Sequence, residues 1–205
     1  MRFPHFAHSD QTWSGYAVTA GGPYKKITGS WTISSLDCSK GNGSVSPWIG
    51  IDGWSNSTVE QIGVDYDCSN GKASYHTWVE MYPAGSDYFP ETVHAGDTMS
   101  ASVSVSGSAW VLWLSDPTEG WKKTFHRTST DKEASAEAIL EDLGSTGAPP
   151  VDDFGTESFS SLLVNGAAFA SAGTAHKTSL ERGTTFLSSE SAVSSESFSI
   201  TWLHS

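Results

Sequence analysis

Apolar and polar positions alternate with a period of two through most of this 205-residue chain. A strand sends successive side chains to opposite faces, so that period predicts strands rather than helices. The pattern predicts them near 13–19, 26–35, 45–52, 59–67, 74–82, 98–106, 109–115, 121–128, 134–142, 156–163, 166–171, 184–188 and 196–203. Turn-forming runs separate them, among them Gly21-Gly22-Pro23, Ser69-Asn70-Gly71, Ser106-Gly107-Ser108, Asp116-Pro117 and Gly144 to Pro150. Many short antiparallel strands in a chain of this size predict an all-β sandwich or barrel. Asp131 to Asp142 is rich in Ala and Glu, and its strand and helix patterns score closely. Ala172 to Gly183 is polar and reads as a long loop or a short helix. No internal repeat or linker breaks the pattern, so residues 12–205 read as one domain behind an N-terminal extension, 1–11.

The same alternation assigns faces. In Trp48-Ile49-Gly50-Ile51-Asp52 the isoleucines take the core side, and Trp48, Gly50 and Asp52 the other. Ile62 and Val64 go in, with Gln61, Gly63 and Asp65 opposite. Val79 and Met81 go in, with Trp78, Glu80 and Tyr82 opposite. Ala136, Ala138 and Leu140 go in, with Glu137, Ile139 and Glu141 opposite. Ordinary solvent faces carry Lys, Thr and Ser. A face of Trp48, Asp52, Gln61, Asp65, Trp78, Glu80, Tyr82 and Glu137 predicts a cleft for an extended ligand. Gly50 and Gly63 would let a ligand backbone approach.

Composition narrows the classes. Aromatics are 12% and charged residues 17%, with 9 Trp, which is enough apolar bulk to fill a core. The net charge of −12 makes nucleic acid and anionic membranes poor partners. Few basic groups also mean little self-repulsion in acid, although acidic composition equally serves solubility. No run reaches the roughly 18 apolar residues of a membrane span, and Met1 to Phe6 has no signal-peptide core. Cys38 and Cys68 each follow an Asp after a strand-like run. They permit one disulfide, or two free thiols, and the disulfide would suit an oxidising compartment. Metal-type cysteine spacing, His-Glu-x-x-His, a Gly-rich phosphate loop and a Gly-x-Ser-x-Gly elbow are all absent from the sequence. No cofactor or metal is implied.

At these residues the chain resembles the glutamic peptidases of the eqolisin type. The matching pieces, in order, are Trp13-Ser14-Gly15-Tyr16, Trp48 to Gly53, Gln61-Ile62-Gly63-Val64-Asp65, Trp78 to Pro83, Ala136 to Asp142 and Asp153-Phe154-Gly155-Thr156. Together they span roughly residues 12 to 203. The resemblance implies an antiparallel two-sheet β-sandwich, concanavalin-like, with one sheet curved into a substrate groove. It implies a secreted, acid-active, monomeric endopeptidase acting on proteins and peptides. Gln61 and Glu137 match the catalytic pair, Trp48 and Asp52 stand beside them, and Trp78 and Glu80 match the groove wall. Asp65 and Tyr82 share that face and are expected to bind substrate. Ala138 departs from the Trp that commonly follows the catalytic glutamate. The Asp52–Gln61 interval is about one residue short, and the fungal disulfides are not reproduced.

The groups suit the chemistry. A carboxylate with an ordinary pKa near 4.3 is a base for acid conditions. A carboxamide stays neutral at every pH and can donate to an oxyanion. Glu141 has the same parity as Glu137 and is the alternative base. A competing reading pairs Glu80 with Glu137 as a glycosidase, with Trp48 and Trp78 stacking on sugar. A carbohydrate-binding module would need only the tryptophans. Gln61 discriminates, since neither sugar reading has a use for it.

Overall fold

The computed structural model describes residues 12–144 and 152–204, so the extension 1–11 and most of the 144–150 turn lie outside the described residues. Among the described residues, strands run β1 (Trp13–Thr19), β2 (Lys26–Thr32), β3 (Gly43–Ile51), β4 (Val59–Ser69), β5 (Lys72–Tyr82), β6 (Asp87–Tyr88), β7 (Thr98–Ser106), β8 (Ala109–Asp116), β9 (Trp121–Thr128) and β10 (Ala136–Asp142). They continue as β11 (Thr156–Val164), β12 (Ala167–Ala168), β13 (Thr174–Thr178), β14 (Glu181–Arg182), β15 (Thr185–Phe186), β16 (Ser188–Glu190) and β17 (Phe198–Trp202). A seven-stranded sheet has the order β13-β1-β10-β3-β4-β5-β6, and an eight-stranded sheet contains β16-β17-β11-β2-β7-β8-β9 with β12 beside β11. All the pairings between these strands are antiparallel.

The core lies between the sheets. Ile49, Ile51, Ile62, Val64, Val79, Ala138 and Leu140 of the first sheet meet Ile27, Trp31, Met99, Val103, Leu112 and Leu114 of the second, all buried. On β7, Met99, Ala101, Val103 and Val105 point in, and the serines between them point away. Polar faces elsewhere follow the same period, which is why most strands were legible.

Four expectations need correction. Residues 166–171 do not form one strand: only Ala167–Ala168 pair, and Phe169–Ser171 turn as a 3-10 helix that buries Phe169. The polar stretch 172–183 is neither loop nor helix throughout, because Thr174–Thr178 forms the edge of the first sheet beside β1. An edge strand has one partner and needs little apolar side chain, so its pattern is weak. The run at 184–188 is split between β15 and β16. Finally, the far face of the first sheet is not open. Trp13, Trp48, Val59, Trp78 and Ile139 form a second buried cluster there, packed by Trp54, Tyr82 and Tyr88. Hence β3, β4 and β10 are buried almost without interruption despite their alternating chemistry.

Cys38 and Cys68 are bonded, with α-carbons 5.3 Å apart. The bridge ties the turn after β2 to the end of β4 across 30 residues. Closing a loop of that length removes about 3–4 kcal/mol of unfolded-state entropy. The Cys38→Ser/Cys68→Ser variant is expected to melt roughly 6–16 °C lower than the parent at pH 4. Unchanged melting would show that the bridge adds nothing.

Candidate active site

The site is built by register. Glu137 on β10 lies opposite Gly50 on β3, Gly50 opposite Gln61 on β4, and Gln61 opposite Glu80 on β5. Residues in one such row point to one face. Glu137 and Gln61 are thus two strands apart, with α-carbons about 10 Å from each other, and Gly50 puts no side chain between them. On its other side Glu137 is followed in the row by Ala17 and then His176. Small residues therefore flank Glu137 on both sides.

Glu137 and Gln61 are both 0% exposed. Gln61 Nε2 donates to Glu80 Oε2 at 2.7 Å, and Ser86 Oγ donates to Glu80 Oε1 at 2.9 Å, so Glu80 sets the amide's orientation. That leaves the second Gln61 N–H and the Gln61 carbonyl oxygen to aim elsewhere. Among the described residues Gln61 Oε1 is buried with no hydrogen-bond partner, and the buried Glu137 oxygens are approached only by the Ser135 hydroxyl and the Trp54 backbone N–H, neither in full hydrogen-bond geometry. Native proteins leave few such atoms, and these under-satisfied oxygens on one pair of facing side chains can accept from a further polar group. Burial pushes the Glu137 carboxyl well above the ordinary range, and Asp52 raises it further. The Ser135 hydroxyl and the Trp54 backbone N–H oppose both effects.

The other expected site residues fall into three places. Trp48 and Trp78 are buried in the far-face cluster, and Trp13 joins them with ring centroids 4.9 Å from Trp48 at 77°. Trp48 Nε1 donates to Glu141 Oε2 at 3.1 Å and Trp78 Nε1 to Ser46 Oγ at 3.0 Å. Glu141 faces Ser46 and Trp13, four residues along β10 from the Gln61 row, roughly 13 Å away. Asp65 is buried, accepting from Ser46 Oγ at 2.7 Å and from the Tyr88 hydroxyl at 2.5 Å. It holds the β6 segment down over the sheet. Tyr82 is half-buried against the indoles.

Asp52 stands beside Glu137, whose carboxyl pKa it raises, but at a turn rather than in the extended row that the alternation assigned. The chain turns at its left-handed φ of 69°, and its carboxylate accepts from Asn56 Nδ2 at 2.7 Å and from the Glu133 and Ala134 N–H groups, each at 2.8 Å. It clamps the 133–135 segment that leads into Glu137. Gly63 has no open space beside it: a Cβ there would meet Pro47 O at 2.5 Å, Trp48 Cβ at 2.6 Å and Trp78 Cζ2 at 2.9 Å, so β3 and the Trp78 indole occupy that space. Gly50 differs. Its Cβ would sit 3.0 Å from Trp48 Cζ3, 3.1 Å from the Glu60 backbone O and 3.2 Å from Gln61 Cβ, so β4 must give by a few tenths of an ångström. Gly50→Ala is expected to fold, and to lose roughly 10- to 100-fold in kcat/KM by displacing the pair it separates. Activity within twofold of the parent would show that the gap has no role.

Sequence reasoning missed Trp54, which stacks on His176 at 5.3 Å with its backbone beside Glu137, and Glu60, buried on the opposite face of β4. Trp54 sits in a Ser/Asn-rich turn with no periodic signal. Glu60 occupies a core-side position where the pattern expects an apolar residue, and that mismatch was the available signal.

Two antiparallel sheets, with a buried carboxyl and a carboxamide facing across a glycine, define a β-sandwich that carries a carboxyl–carboxamide pair on one face. The chain belongs to the Peptidase A4 family, whose model matches residues 11–202, and it is a peptide-bond hydrolase. It is similar to Aspergillopepsin-2 of Aspergillus niger, 30% identical over 223 residues, covering 93% of this chain and 77% of that protein. Its fold matches scytalido-glutamic peptidase solved with a transition-state analogue inhibitor. That match has a TM-score of 0.80 and 23% identity, and covers 94% of this chain and 98% of the other. Aspergilloglutamic peptidase from Aspergillus niger matches with a TM-score of 0.64 and 28% identity, over 78% and 99% of the two chains.

Proposed function

We propose that this chain is an acid-active endopeptidase in which Glu137 is the general base and Gln61 the oxyanion donor. The observation that carries the reading is the shared row: a carboxyl and an amide across Gly50, with buried oxygens that can accept from a further polar group. A water molecule between them would donate to Gln61 Oε1 and to Glu137. As the water oxygen bonds to the scissile carbonyl carbon, Glu137 takes its proton and the carbonyl π electrons move to oxygen. The free Gln61 N–H donates to that oxyanion. When the C–N bond breaks, Glu137 returns the proton to the departing nitrogen, leaving a carboxylic acid and an amine. Glu80 holds the amide for this work.

The base must be ionised, and burial opposes that. Entry of peptide and water requires Trp54, Tyr82 and Tyr88 to move off the face, which rehydrates Glu137 and lowers its pKa. Trp48, Trp78, Glu80 and Tyr82 then wall the peptide groove. Every step uses side chains of this chain alone. The Cys38–Cys68 bond supports an extracellular place of work. Among the described residues no helix is long and apolar enough to cross a membrane. A monomer without nucleic-acid or membrane partners fits the acidic charge.

The test is incubation with casein at pH 3–4 and at pH 7, beside a polysaccharide panel, with products identified by mass spectrometry. Internal peptide cleavage, strongest in acid, is expected. Sugar release without peptide release would overturn the reading in favour of a Glu80–Glu137 glycosidase, and intact casein throughout would overturn it outright.

A further inference from the structure

Glu60 has no part in the chemistry above, yet it is 1% exposed in the interior beside the site. It lies next to Gln61 on β4 with its side chain on the core face, opposite Ile51 and Met81. Its carboxyl meets that of Asp131, which arrives on the 129–135 connection. Glu60 Oε2 and Asp131 Oδ2 are both buried, and among the described residues neither has a hydrogen-bond partner. Two carboxylates in contact repel, whereas a carboxylic acid donates to a carboxylate in a short, strong bond. The other charged groups acting on Glu60 are Asp52, at the end of β3, and Glu137, on β10, both acidic. No cation is among them.

The segment that Asp131 anchors matters. Two residues on, Glu133 is held at a left-handed φ of 56°, and its carbonyl accepts from Tyr24 N–H at 2.9 Å. The Glu133 and Ala134 N–H groups bind the Asp52 carboxylate, and Ser135 O accepts from Asp52 N–H at 3.0 Å. Ser135 then presents its hydroxyl to Glu137, two residues later. A non-glycine residue at positive φ persists only where its surroundings hold it.

We infer that Glu60 and Asp131 share one proton and act as a positioning pair for Glu137, the shared proton pinning the 131–135 segment. The pair rests on the peptidase reading only for its effect on rate. Its effect on folding stands independently. Without the proton two adjacent buried anions would face Asp52 and Glu137, so the folded chain keeps it through the acid range and the segment stays pinned. The high affinity for the proton has its cause mainly in burial and then in Asp131 itself, which together push Glu60 up to about 10. Glu60 therefore binds its proton more tightly in the folded chain than in the unfolded chain. Its stabilising contribution is complete below about pH 4.5 and declines as pH rises beyond it.

The test uses Glu60→Gln, a neutral isostere that donates to Asp131 at any pH. Melting is followed from pH 3.5 to 6 without substrate. Relative to the parent, the melting temperature of the variant should rise by roughly 4–8 °C between those pH values. A difference independent of pH overturns the shared proton. The positioning role is read from kcat on a peptide substrate, at a temperature where both proteins are folded. Glu60→Gln should keep parental kcat and KM, whereas Glu60→Leu, which cannot donate to Asp131, should lose about tenfold in kcat with KM unchanged. Equal kcat in the two variants overturns the positioning role even if the melting shift is found. A chain inactive at every pH, but with the melting shift, would instead overturn the peptidase reading and leave the pair intact. Asp131→Asn repeats the test from the other side, and failure of both variants to fold at any pH overturns the proposal.

Discussion

Glu137→Gln is expected to be both inactive and, above about pH 4.5, more stable than the parent. The two effects share a cause. Gln has nearly the shape of Glu and cannot accept a proton, so kcat on casein at pH 3–4 should fall by about 10²–10⁴-fold. The parent carboxyl is fully buried, so its charged form is disfavoured in the folded chain. Every pH unit above 4.5 at which it stays protonated when folded but ionised when unfolded costs the parent about 1.36 kcal/mol. The amide has no such cost. Gln61→Ala should lose about 10²–10³-fold, equivalent to ~2.7–4 kcal/mol of oxyanion stabilisation. It should also melt lower, because Glu80 Oε2 loses its donor. Activity assays and melting curves at pH 4 and pH 6 check both variants. A Glu137→Gln protein that retains more than about a tenth of parental kcat would remove Glu137 from the chemistry. One that is inactive but destabilised at pH 6 would point to misfolding rather than catalysis.

Raising the pH to neutrality is expected to unfold the parent protein. Several buried carboxyls have raised affinities for protons, each mainly through burial. Asp142 is pushed up to about 6, Asp152 to about 7, Glu157 to about 8 and Glu60 to about 10. A carboxyl raised in the folded state is more protonated there than in the unfolded chain. Stability is therefore greatest below about pH 4 and falls as pH climbs through the window from about 4 to each folded value. Glu157 is the cleanest case. It is fully buried, accepts from Ser34 Oγ and the Tyr66 hydroxyl at 3.0 Å each, and has no cation among the groups that shift it. Alone it can cost ~3 kcal/mol between pH 4.5 and 7. A domain holds about 5–15 kcal/mol in total, so four such groups, with the repulsion of a net charge of −12, are enough to tip it. Circular dichroism against pH should show loss of structure between about pH 6 and 8, and Glu157→Gln should shift the midpoint upward. A midpoint unmoved by that variant, or a chain whose urea resistance is flat from pH 4 to 8, would contradict this account.

That behaviour was only half visible beforehand. The acidic composition suggested tolerance of acid through a shortage of basic groups. The stronger effect arises from which acids are buried, and Glu60 and Glu157 carry no sequence mark of burial beyond standing at core-parity positions. Asp52 shows the opposite failure. Alternation assigned it to the groove, but the strand ends at Ile51 and the next residue turns through a left-handed conformation to clamp a distant segment. Period-two reasoning holds only while the backbone stays extended. The eight-residue face was identified as one surface, and most of it is one surface. Its openness was misjudged, because the turn bearing Trp54 and the two-residue strand β6 bearing Tyr88 cover it, and neither is long enough to leave a periodic trace.

From its residues alone, this protein was committed to an all-β architecture. It was also committed to Gln61 and Glu137 sharing a side of their sheet, because side-chain parity is a local consequence of the pleat. Which strands are neighbours is a non-local fact. Only the tertiary structure decided that β10 pairs with β3 and β3 with β4 in the register that sets Glu137 across Gly50 from Gln61 and leaves Glu141 to Trp48. The same packing removed these carboxyls from water, and so decided their proton affinity.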